Sequence, residues 1–69
     1  VIRDLVLYIK QERIAQNLTM SELALKSSVS QKHISNIENE KVIPTIETLE
    51  KLAKALGFEI ALQVKVRRP

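Results

Sequence analysis

A chain of 69 residues makes one domain, and a domain this small buries only about 60% of the surface its unfolded form exposes, so its core has to be simple and mostly local. With no cysteine and a single histidine, neither a disulfide nor a zinc cluster can staple it, and 45% apolar against 28% charged residues is the composition of a globular chain rather than a disordered one. Eleven Lys and Arg against eight Asp and Glu give a net charge of +3, which is compatible with a polyanionic partner without demanding one.

Ile2, Leu5, Val6, Ile9 and Ile14 recur at helical spacing in a stretch free of Gly and Pro, which predicts a first helix over 2–17. Thr19, Met20, Ser21 and Glu22 then read as a capping box: the Thr19 hydroxyl accepts a first-turn backbone N–H, and the Glu22 carboxylate accepts the Thr19 amide. The second helix that follows turns Leu23 and Ala24 inward and ends near Ser27. Ser28 and Val29 make a short turn, Ser30 is an N-cap by residue type, and 31–38 forms a third helix with Ile34 and Ile37 on one side.

Pro44 disfavours helical geometry at Ile43, so 39–44 is not regular helix. Thr45 caps a fourth helix with Ile46, Leu49, Leu52, Ala53 and Leu56 inward and Glu47/Lys51 and Glu50/Lys54 as exposed pairs; Gly57 supplies its left-handed stop. Beyond Gly57 the period changes to two, with Phe58, Ile60, Leu62, Val64 and Val66 on one face. A lone strand cannot satisfy its own backbone, and the favoured partner is the same strand of a second copy in an antiparallel ribbon. A fifth helix or an extended tail laid over the bundle is the other reading. The expected fold is therefore mainly α, a compact four-helix unit over 1–57 with a strand or tail over 58–69 that joins a homodimer.

Helix, short turn, short helix is the layout of a helix-turn-helix, whose second member can enter the major groove of DNA. At about 100° per residue, Ile34, Ile37 and Glu38 share one side of the third helix, while Lys32, Ser35 and Asn36 face the other and Gln31 stands at its start. That outer face carries hydrogen-bonding groups and one positive charge, and no carboxylate. An enzyme is disfavoured, because there is no Gly-rich phosphate loop and one histidine completes no catalytic or metal set. No cofactor is expected. No apolar run approaches the roughly 20 residues of a membrane span, and no leader pattern is present, so the cytoplasm is the expected location.

The runs Leu18 to Ala24, Val29-Ser30, Ile34 to Asn39, Pro44 to Leu49 and Leu52 to Gly57 stand in an order and spacing that resembles the Cro/repressor, or XRE, helix-turn-helix family, from about Ile9 to Gly57. The resemblance implies a dimer that binds a roughly palindromic double-stranded DNA site and regulates transcription. It implies base contacts from Gln31, Lys32, Ser35 and Asn36, and phosphate contacts from Thr19, Met20, Ser30, His33, Asn39 and Lys41. It further implies a structural ion pair between Arg13 and Glu38. Helix N-termini present free N–H groups and partial positive charge, which suits phosphate.

Some members of the family are antitoxins that bind a toxin protein as well as their own promoter, and the alternating tail is similar to that branch, so a toxin partner is the alternative reading. Three positions depart from the family pattern: Met20 stands where Gln is usual, and Ser28 and Glu40 stand where Gly is usual. If those backbones need positive φ, each non-glycine residue costs on the order of 1 kcal/mol. Asn39 is the residue that can take the strained position instead.

Overall fold

The computed structural model describes residues 2–61. Four helices follow in order: α1 (Ile2–Ala15), α2 (Met20–Ser27), α3 (Gln31–Glu38) and α4 (Ile46–Leu56). The α1 and α2 helices each pack against both α3 and α4, which closes a bundle around Val6, Ile9, Leu23, Val29, Ile34, Ile37, Leu49, Leu52 and Leu56. Leu23 is wholly buried, at 0% exposure, and each such side chain contributes about 1.5–3 kcal/mol through its removal from water.

Local chemistry sets the starts. The Thr19 capping box closes in both directions, each bond at 3.0 Å. Ser30 Oγ accepts the His33 amide at 3.1 Å, and Thr45 Oγ1 accepts the Thr48 amide at 3.2 Å. Each hydroxyl satisfies a backbone donor that has no partner within its helix.

The stops share one device. A residue in the left-handed region follows or ends each helix: Asn17 (φ 57°), Ser28 (φ 62°), Glu40 (φ 58°) and Gly57 (φ 90°). After α1, α3 and α4 the next amide reaches back five residues, from Leu18 to Arg13, Lys41 to Asn36 and Phe58 to Ala53, at 3.0, 2.9 and 3.0 Å. This is the bond pattern of the Schellman stop. A sequence with a single glycine thus reverses direction four times, and three of those turns use residues that prefer negative φ. Ser28 and Glu40 themselves adopt the left-handed backbone, and Asn39, at φ −90°, does not take the strain.

Several expectations are corrected. The first helix ends at Ala15, two residues early, because Asn17 already turns the chain. Ile2 and Ile14 are 40% and 54% exposed, whereas Val6 and Ile9 are buried, and Ile46 at the first turn of α4 is 42% exposed rather than inward. The α1 stripe that meets the bundle is Val6, Ile9 and Arg13, spaced by three and four residues; Ile14 falls about 140° from Ile9 around the helix and so faces solvent.

Residues 58–61 form no strand in this single chain, because a strand needs a neighbouring backbone and the described residues offer none. Phe58 and Ile60 instead pack, partly buried, against the core. The Phe58 ring meets Tyr8 edge to face at 5.0 Å between centroids. Leu62, Val64 and Val66 lie outside the described residues, as does the rest of the expected strand.

Candidate nucleic-acid interface

The α2–turn–α3 unit is held from inside. Ser27 is buried, and its hydroxyl accepts the Val29 amide at 3.2 Å, while the Ser28 amide donates to Ala24 O at 3.0 Å. Val29, also buried, anchors the turn on the core. These bonds and the buried Val29 hold the turn between α2 and α3 against the core.

On its inner side α3 buries Ile34, Ile37 and Glu38. A carboxylate without a partner in that position is costly, and Arg13 supplies the partner: Nε donates to one carboxylate oxygen at 2.8 Å and Nη2 to the other at 2.9 Å. The remaining nitrogen, Nη1, donates to Leu18 O at 2.7 Å, so one guanidinium ties α1, the α1–α2 turn and α3 together. The bonds to Glu38 raise the Arg13 guanidinium further above its ordinary value, against the opposing effect of burial. No buried side-chain nitrogen or oxygen among the described residues lacks a partner.

The outer side differs. Gln31 and Lys32 are exposed, and Ser35 and Asn36 are half-buried beside them. Among the described residues no hydrogen bond engages the side chains of Gln31, Lys32 or Asn36. Ser35 Oγ accepts Asn39 Nδ2 at 3.3 Å, a bond that links the helix face to the loop behind it. His33 is half-buried at the flank of this face. Glu38 being turned inward, the 31–37 surface carries no negative charge.

The flanking positions are divided. Ser30 is spent on capping α3, which leaves the amides of Gln31 and Lys32 as free donors at the helix start. At α2 both the Thr19 hydroxyl and the Thr19 amide are engaged by Glu22, so the backbone donors left open there are those of Met20 and Ser21. The Thr19 amide, donating to Glu22, holds that carboxyl below the usual carboxylate range. Lys41 is exposed on the loop after α3, with its own amide fixed to Asn36 O.

Three contacts have no counterpart in the sequence reading. Ser27 carried only the weak signal of a small polar residue before a turn. Gln16 Nε2 donates to Leu56 O at 2.8 Å, joining the ends of α1 and α4, and Arg3 pairs with Glu40 across 37 positions at 2.7 Å. Both pairs are long-range, and no local spacing announces them.

Residues 9–63 match the family described as helix-turn-helix. Two curated relatives are each 36% identical to the chain. One is an immunity repressor protein of Bacillus phage phi105, aligned over 53 residues, 77% of this chain and 37% of that protein. The other is an uncharacterized HTH-type transcriptional regulator of Sinorhizobium fredii, aligned over 61 residues, 88% of this chain and 31% of that protein. The chain thus spans about a third of the length of the curated relatives it matches.

Proposed function

The chain belongs to the Cro/repressor-type, or XRE, helix-turn-helix family, and from that premise we propose that it binds double-stranded DNA through the outer face of α3 and regulates transcription. The observation that carries this reading is the division of α3 into two sides. Its one acid is drawn inward by Arg13, and Gln31, Lys32 and Asn36 are left without partners within the described chain. Glutamine and asparagine suit the edge of adenine, and lysine that of guanine.

Gln31 and Lys32 read bases at the start of α3, with Ser35 and Asn36 one turn further on. The open amides of Met20 and Ser21, the loop residue Lys41, and Asn39 through the second hydrogen of its Nδ2, the first being donated to Ser35, meet phosphates and set the register of the helix on the duplex. Ser30 and Thr19 serve this surface mainly by capping the helices whose ends point at it. The relatives named as a repressor and as a transcriptional regulator support a regulatory role, and repression is the reading we favour.

The alternation from Phe58 to Val66 supports a homodimer through paired tails, with recognition helices about 34 Å apart on a nearly palindromic site. Selection of bound duplexes from a random pool tests the whole reading. Enrichment of two inverted half-sites supports it, and recovery of an unenriched pool overturns sequence-specific binding. For the dimer, Leu62→Pro is expected to give monomers by sedimentation; a persistent dimer would remove the tail as the interface.

A further inference from the structure

We propose that Arg3 is a charge-masking residue of the DNA-binding surface, acting through Glu40; the proposal rests on the DNA-binding reading above. Glu40 stands between Asn39 and Lys41 in the loop that follows α3. From Gln31 to Lys41 the acids are Glu38 and Glu40, and Glu38 is buried against Arg13. Glu40 is therefore the one exposed carboxylate of that segment. Its backbone is tied in place: Glu40 N donates to Ile37 O at 3.1 Å, Lys41 N donates to Asn36 O at 2.9 Å, and φ is 58°.

A carboxylate held in that loop opposes the phosphates that Lys41 and the α3 start attract, since duplex DNA carries one negative charge per about 1.7 Å of axis. Arg3 answers it from the first turn of α1. Its Nε donates to Oε1 at 2.7 Å and its Nη2 to Oε2 at 3.4 Å, a side-on pairing that covers both carboxylate oxygens. The side chains are 82% and 53% exposed, and pairs so open to water add little to stability. The pair's consequence is thus electrostatic: it removes a unit of negative charge from the face turned toward DNA while leaving Lys41 unpaired among the described residues.

The test uses the chain with a labelled duplex of about 20 base pairs and mixed sequence, at about 50 mM salt, where phosphate attraction dominates. Arg3→Gln is expected to weaken binding by about two- to tenfold, with a difference that shrinks as salt is raised. Glu40→Gln is expected to bind as tightly as the unaltered chain or more so, and the double variant to return to the Glu40→Gln level. Thermal unfolding of all three should match the parent to within the small effect of an exposed pair, which separates masking from a structural role. The inference is overturned if Arg3→Gln binds like the parent, if Glu40→Gln weakens binding as much as Arg3→Gln, or if the double variant stays as weak as Arg3→Gln, the last meaning that Arg3 meets phosphate itself. Failure of the unaltered chain to retain the duplex removes the DNA-binding reading and this inference together, whereas the other three outcomes remove the inference alone.

Discussion

Arg13 grips the Glu38 carboxylate with two hydrogen bonds of 2.8 and 2.9 Å, and the carboxylate side chain is only 2% exposed. With Ile34 and Ile37 buried on the same side, the bond pair keeps the one acid of α3 turned inward. Removing one member leaves the other charge buried and alone, so Arg13→Ala is expected to cost about 3–5 kcal/mol. Urea unfolding measures it. A loss below about 1 kcal/mol, the range of an exposed pair, would contradict the buried-pair account.

The base-reading and phosphate roles separate by their selectivity. Gln31→Ala should relax preference at one position of each half-site by about 1–3 kcal/mol and leave the rest of the site unchanged. Competition with single-base variants of a selected duplex reads this. Uniform loss across all variants would exclude Gln31 as a reader.

Lys41→Ala should weaken binding to every duplex alike and flatten the dependence of log K on log salt by about 0.9 per chain. Titrations at several salt concentrations measure the slope. An unchanged slope would mean that Lys41 meets no phosphate.

Ser28 holds φ 62° at the end of α2, a conformation that disfavours any side chain. Ser28→Gly should therefore stabilise the fold by up to about 1 kcal/mol, less whatever the extra freedom of glycine gives the unfolded chain. Asn17→Gly should gain less, because asparagine adopts the left-handed region readily. Thermal melts of the two variants side by side test the ranking.

These turns also mark where the sequence was legible and where it was not. The helix starts could be read because Thr19, Ser30 and Thr45 cap locally, within three residues of the amides they satisfy. The stop of α4 could be read because Gly57 announces it. The stop of α1 could not, because Asn17 does the work of a glycine without being one, and the helix ends at Ala15 although nothing in 15–17 is a glycine or proline. Ile14 lies off the stripe of Val6 and Ile9, and Ile46 fits the period of α4 but stands at its open first turn, where period alone does not say whether a neighbouring helix reaches. Gln31, Lys32 and Asn36 fall on one face by spacing, whereas the pairing of Arg3 with Glu40 depends on two ends of the bundle meeting, which only the tertiary fold determines.

The Glu22 carboxyl lies below its ordinary value of 4.5, chiefly through the bond it accepts from the Thr19 amide. A carboxyl lowered on folding contributes stability that is present in full above the unfolded value and is lost as pH falls through the folded one. The chain should thus lose the contribution of this cap in acid, below about pH 4.5. Glu22→Gln, which keeps an acceptor and removes the titration, should show a gap from the parent at neutral pH that narrows as pH falls through that range. Thermal melts from neutrality into acid decide it, and a gap independent of pH would contradict the cap.

The most direct measurement is of backbone amide chemical shifts by NMR as a selected duplex is added. Changes should concentrate at Gln31, Lys32, Ser35 and Asn36, with a second group at Met20, Ser21 and Lys41. Changes confined to α1 or α4, with the α3 amides unmoved at saturation, would contradict the claim that this helix lies against the base pairs.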